Sequence, residues 1–228
     1  MLNRSLSWTF LFIGILFLSG TAYAQSKKPL DPQRANTVYR FEFHPGHRLT
    51  LRVGLDDKST IKTVNVYREN EPTPFQTLPA CGYGGPMQLF EGDEQLALVE
   101  HADLDFDGYQ DIKILTYLND HLGKKVFCTY LFNAKANQFR FEKQLLIADP
   151  IPHPETRQIT SHSEYFGGTF EDSTYEWHGS ALVLIAQEGT RDNPKNPECG
   201  PVHFSSRLSV TGEMLTTEDD SICSQGKH

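Results

Sequence analysis

The chain reads as an all-β protein, built as a barrel, a twisted antiparallel sandwich or propeller-like sheets, and three observations carry that reading. Short segments rich in β-branched and aromatic residues recur along it, turn residues bound each one, and no segment keeps a 3.6-residue apolar period for three turns. Periodicity alone leaves the choice among the three all-β architectures open.

The segments follow in order. "TVYRFEF" (37–43) alternates apolar and polar side chains, as a strand with one buried face must, and "RLTLRVG" (48–54) follows across the turn "HPGH". "IKTVNVY" (61–67) alternates again. "QLALVEHAD" (95–103) and "DIKILTYL" (111–118) flank an aspartate-rich loop, and "KVFCTYLFN" (125–133) leads through "NAKANQ" into "QFRFEKQLLI" (138–147). Beyond "WHGS" comes "SALVLIAQ" (180–187), and "VHFSSRLSV" (202–210) closes into a hairpin at "VTGE". Three stretches carry little strand character, residues 69–94, 148–158 and 189–201. They are too long for hairpin turns and are expected to be loops on the β scaffold.

The N-terminus sets the compartment. Asn3 and Arg4 precede the apolar run "WTFLFIGILFL" and the small-residue stretch "SGTAYA", the pattern of a secretory signal peptide over 1–24 with cleavage after Ala24. The run is about half of what a membrane-spanning helix needs, and it lacks the amphipathic spacing of a buried helix. A polar leader (25–36) and a single β domain (37–228) follow, in a protein expected in the periplasm or outside a Gram-negative cell. No cysteine follows the cleavage point, so a lipid anchor is not expected.

Without Arg4 the exported chain has 20 Lys+Arg against 29 Asp+Glu, a net charge of −9, which opposes nucleic acid or anionic lipid as partners and suits a basic or neutral one. Cys81, Cys128, Cys199 and Cys223 are an even set in an exported chain and suit two disulfides, although sequence allows three connectivities. Locality favours Cys199 with Cys223, leaving Cys81 with Cys128. Zinc is the rival, without any short C-x-x-C spacing to support it.

"DLDFDGYQD" (103–111) carries the chemistry. Asp103, Asp105, Asp107 and Asp111 stand at its positions 1, 3, 5 and 9, the backbone carbonyl of Tyr109 at position 7, and Gly108 at position 6, where an EF-hand loop bends sharply. Position 12 is Ile114 in place of the bidentate Glu, so this is an EF-hand-like loop between strands, with Asp111 acting directly or through water. Crowded carboxylates repel unless a cation offsets them, and oxygen-only ligands favour Ca2+ over zinc or magnesium. A metal-free acidic turn is the plainer alternative.

This loop and its surroundings, "VEHADLDFDGYQDIKILTYLND" followed by "FCTYLFNAKANQFRFEKQL", resemble exported bacterial proteins related to a Xanthomonas immunity protein that neutralises a lysozyme-like toxin of the type IV secretion system. The loop alone is similar to the calcium loops of integrin-type propeller repeats. The resemblance spans roughly residues 96–187. It implies a propeller-like fold, a structural calcium ion on Asp103, Asp105, Asp107, Tyr109 and Asp111, and a periplasmic inhibitor of a lysozyme-like peptidoglycan hydrolase.

Periplasmic lysozyme inhibitors often use a Ser-Gly-x-Tyr type motif. Its nearest counterpart is "SHSEYFGG", which nominates Ser163, Glu164, Tyr165, Gly167 and Gly168 as the partner-binding residues, in a turn between strands spanning "SEYFGGTFEDSTYEW". Tyrosine anchors amid acids suit a basic cleft. Tyr175 and Trp177, at strand spacing, are read as core, and Tyr165 fits core and anchor equally.

No catalytic residues are expected. His44, His47, His153, His162, His178 and His203 lie apart from any convincing nucleophile, and no Gly-x-Ser-x-Gly, P-loop or His-Glu-x-x-His motif occurs. "YGG" at 83–85 reads as a tight turn. The alternative to the inhibitor is a calcium-stabilised carbohydrate-binding or cell-surface adhesion module.

Overall fold

The computed structural model describes residues 27–81, 87–119, 124–193 and 200–219. The expected signal peptide, the "YGG" turn and the Cys199–Cys223 pair lie outside these residues. Strands β1 (Val38–His44), β2 (His47–Leu55), β3 (Ile61–Arg68) and β4 (Gln76–Pro79) form the first sheet. The second holds β5 (Val99–Ala102), β6 (Asp111–Asn119), β7 (Lys124–Asn133) and β8 (Gln138–Phe141), and the third runs from β9 (Ile151–His153) through β10 (Gln158–Tyr165), β11 (Thr169–His178), β12 (Ala181–Arg191) and β13 (Val202–Leu208) to β14 (Met214–Asp219). Each sheet is an antiparallel meander in chain order and none closes into a barrel. The all-β expectation holds; helical turns among the described residues are limited to two 3-10 segments, Pro32–Arg34 and Lys143–Leu145.

Period-2 alternation explains the first sheet. Phe41 and Phe43 on β1, Leu49, Leu51 and Val53 on β2, and Val64 and Val66 on β3 all turn inward. They share one core with Ile112, Ile114, Cys128, Tyr130 and Phe132 of the second sheet. Each such side chain contributes about 1.5–3 kcal/mol on burial. β6 and β7 are buried on both faces, the reason "DIKIL" and "VFCTYLF" read as near-continuous runs. Their second face meets a smaller core in which Leu104, Leu131, Leu145 and Ile159 pack with Tyr175, Trp177 and Leu182.

Lys113 is the charge inside this middle sheet. Its side chain is 6% exposed, and its ammonium reaches Glu100 at 2.9 Å, Asp149 at 3.5 Å and the Pro150 carbonyl at 3.3 Å. A buried ammonium persists only with such partners. The Cys81–Cys128 disulfide, matching one expected pairing, ties the end of the first sheet to β7.

Several expected loops are strands. β4 lies in the stretch 69–94 and β9 in 148–158. The expected turn between strands over 163–177 is instead the β10–β11 hairpin itself, with only residues 166–168 between the paired ends Tyr165 and Thr169. Its first strand, β10, dominated by Thr, Ser, His and Glu, lacks the apolar alternation that marks a strand. The leader is docked as well: Leu30 is buried, donates its N–H to the Leu89 carbonyl at 3.0 Å, and accepts from the Ser59 hydroxyl.

Candidate metal centre and partner surface

Ala102 pairs with Asp111 at the base of the β5–β6 connection, so the aspartate loop spans the gap between paired strands. Asp103 closes it from one side: its two carboxylate oxygens accept the N–H groups of Asp107 at 3.1 Å and Gly108 at 3.0 Å. Asp107 accepts from the Tyr109 N–H at 2.9 Å. Two positions take positive φ, Phe106 at 61° and Gly108 at 91°, and the strained non-glycine one is held by packing. Leu104 is fully buried, Phe106 packs on the smaller core under the Arg157 guanidinium, and the Trp177 indole donates to the Leu104 carbonyl at 2.8 Å. Both loop hydrophobes therefore pack on the fold, as the alternation of the loop requires.

At the centre, one ligand atom each from Asp103, Asp105 and Asp111 lie within 4.8 Å of one another. Asp111 is completely buried, and its oxygens accept the N–H groups of Leu104 at 2.8 Å and Phe132 at 2.9 Å. Even so, burial pushes its carboxyl up to about 8, against the pull of those two hydrogen bonds. Asp105 is pushed up to about 6, first by desolvation and then by the neighbouring charges of Asp107 and Asp103. Its Oδ1 is buried with no hydrogen-bond partner. Native folds rarely leave such an oxygen unsatisfied, and the donor set is purely oxygen, so the residues fit a hard divalent cation.

The nominated metal residues are thus placed unevenly. Asp103, Asp105 and Asp111 converge, Asp107 turns back onto its own loop, and the Tyr109 ring stacks on His44 with centroids 4.5 Å apart. Trp177, the N–H of Phe132 and the Phe43 carbonyl, which accepts from Gln110 N–H at 2.9 Å, support the loop from far along the chain. No local signal marks them, because partners such as Leu104 and Trp177 are 73 residues apart.

The nominated partner residues occupy the end of the β10–β11 hairpin. Tyr165 is 42% exposed and Phe166 77%, over Gly167 and Gly168 at φ of 88° and 77°. The Lys124 ammonium sits 4.8 Å above the Tyr165 ring, and Glu164 is exposed, whereas Ser163 is buried. Behind the tip, His162 bonds Asp172 at 2.7 Å and approaches Glu164 at 3.5 Å, and the Asp172 bond raises its pKa. Tyr175 and Trp177 lie in the smaller core, as read from their spacing. A cleft of about 1030 Å³ opens beside Tyr165 and Phe166, walled by Tyr117 and Val126 on one side and Leu184 and Phe204 on the other. Residues 151–219 hold eleven Asp+Glu against four Lys+Arg, a balance of −7 within a chain total of −8. The third sheet therefore carries nearly all the excess negative charge.

Neither a family model nor a curated protein sequence matches the chain. Among solved structures, its fold is similar to that of a Xanthomonas type IV secretion system related protein, with a TM-score of 0.51, 16% identity, and coverage of 85% of this chain and 98% of that one. A Bacteroides fragilis protein of unknown function aligns at a TM-score of 0.27 and 10% identity, over 77% of this chain and 93% of that one. The first likeness is one of fold. The cysteine bridge is compatible with an extracytoplasmic protein, and among the described residues no helix is long and apolar enough to cross a membrane.

Proposed function

We propose that this chain is a calcium-stabilised periplasmic protein that binds and inhibits a peptidoglycan-degrading, lysozyme-like enzyme. The observation that carries the reading is the exposed Tyr165–Phe166 tip projecting from the sheet that holds almost all the excess negative charge. Aromatic side chains on a short hairpin are efficient anchors, and an acidic surround speeds encounter with a basic enzyme. Peptidoglycan hydrolases of the lysozyme type are commonly basic. The fold shared with a secretion-related Xanthomonas protein supports the same direction. In this account Asp103, Asp105 and Asp111 would hold the ion, joined by the Tyr109 carbonyl and by Asp107 directly or through water. The ion supplies the positive charge that lets buried carboxylates remain ionised, and thereby fixes the β5–β6 connection against Trp177.

The test is a muramidase assay on isolated peptidoglycan with the purified full chain added. Inhibition at micromolar protein is expected, lost by tenfold or more in a Tyr165→Ala/Phe166→Ala variant that melts at the wild-type temperature. Undiminished turnover across a panel of basic lysozyme-type enzymes would contradict the proposal.

A further inference from the structure

The outward face of the first sheet differs in charge from the rest of the molecule. The alternation that turns Phe41, Leu49 and Leu51 into the core turns Arg40, Arg48, Thr50 and Arg52 to the opposite side. Arg40 pairs with Thr50, so Arg48 and Arg52 are its diagonal neighbours across the strand pair, at about 7–8 Å. All three arginines are exposed, and none forms an ion pair among the described residues. The Arg52 guanidinium lies 5.1 Å over the ring of Tyr67, which stands opposite Thr50 on β3. One acid on these strands shares the face: Glu42, opposite Arg48, accepts the Gly46 N–H at 3.0 Å. Residues 38–68, which hold β1 to β3, carry six Lys+Arg against three Asp+Glu, a balance of +3, where residues 151–219 carry −7.

Guanidinium groups set side by side repel unless an anion lies over them, and their planar forks match phosphate oxygens. Arg48 and Arg52 are four residues apart on one strand, about 13 Å, a spread that suits a plane of phosphates better than a single anion. The total charge of the chain opposes such a surface, but contact is decided locally. One core joins the first sheet to the second and the smaller core joins the second to the third, so the acidic sheet lies two layers away, about 20 Å. At physiological salt, charges beyond about 8 Å are largely screened. Tyr67 adds an amphipathic ring of the kind that sits at headgroup level. For a protein stapled by a disulfide, the extended phosphate surface at hand is a bilayer. We propose that the outward face of β1 to β3 docks on an anionic phospholipid bilayer, with Arg40, Arg48 and Arg52 on lipid phosphates. The third sheet, beyond the second, then faces away from the lipid. This face shares no residue with the hairpin tip or the aspartate loop, so it stands or falls separately from enzyme inhibition.

The experiment is co-sedimentation of the exported chain, residues 25–228, with vesicles of phosphatidylcholine containing about 30 mol% phosphatidylglycerol and with vesicles of phosphatidylcholine alone. The apolar run 8–18 is left out because it would enter either bilayer. Each arginine at an anionic surface strengthens partitioning about fivefold, so binding to the anionic vesicles is expected at least about tenfold tighter than to the neutral ones at about 50 mM salt, and lost by about 300 mM. An Arg40→Gln/Arg48→Gln/Arg52→Gln variant should melt like the wild type and bind at least about tenfold more weakly, and the single reversal Arg40→Glu should by itself cost about fivefold or more. Absence of binding to the anionic vesicles, equal binding to the neutral ones, wild-type binding by these variants, or sedimentation without vesicles, as the basic face of one copy meets the acidic sheet of another, would each overturn the proposal.

Discussion

Asp105 and Asp111 are the residues on which the metal account turns. Both carboxyls sit above their ordinary range, at about 6 and about 8, so without an ion the folded chain binds protons that the unfolded chain has released. Between about pH 4 and 8, stability of the EGTA-treated protein therefore falls as pH rises, and most of the Asp111 contribution is lost on approaching pH 8. A calcium ion held there would compete with those protons, so its stabilising effect should grow over the same interval, a trend that melting curves at pH 5, 6.5 and 8 with and without the ion will check. Asp105→Asn separates charge from shape. It should raise ion-free stability at pH 8 by about 1 kcal/mol while abolishing calcium uptake in calorimetry. The convergence of Asp103, Asp105 and Asp111 was legible because alternating aspartates with a glycine at the sixth position are local. What Asp107 does was not, since its carboxylate reaches the N–H two residues on, a choice of rotamer that spacing does not encode. Tyr165, suited equally to core or surface by sequence, is exposed because the hairpin continues beyond the smaller core.

At the scale of elements, strands packed on both faces announced themselves and polar ones did not. β6 and β7 were plain in the apolar runs, whereas β10 was hidden by Thr, Ser and His that alternate in burial without alternating in hydrophobicity. β11 and β12 approach so closely that a Cβ on Gly189 would sit 2.1 Å from the Phe170 carbonyl oxygen. Gly189→Ala must push the strands apart, and a loss of about 2 kcal/mol or more is expected in urea unfolding. Trp177→Phe keeps most of the packing but removes the donor to Leu104, exposing the loop to fraying. It should cost about 1 kcal/mol and weaken calcium affinity, read by the same calorimetry. The Cys81–Cys128 bridge joins residues 47 apart across two sheets. Replacing both cysteines by serine is expected to cost about 2–4 kcal/mol, measured against the oxidised wild type.

Across the whole molecule, charge is segregated: the third sheet is strongly acidic while the first two are nearly balanced. Total composition gives the sign of the chain's excess charge but not its location, because the segregation appears only once the chain is divided by sheet. Inhibition of a basic enzyme should accordingly weaken as salt rises from 50 to 500 mM, through slower association. The all-β class was readable from turn spacing, while the division into three meanders depended on which strands pair. The aspartate loop joins these parts, since it starts on β5, ends on β6, reaches the first sheet at Phe43 and the third at Trp177. The most direct test is therefore thermal unfolding of the full chain at pH 7.5 in calcium and in EGTA. At an ion concentration about a hundredfold above the dissociation constant, stabilisation of about 2.7 kcal/mol should raise the midpoint by about 5–10 °C. Coincident melting curves would show that no such ion holds the fold.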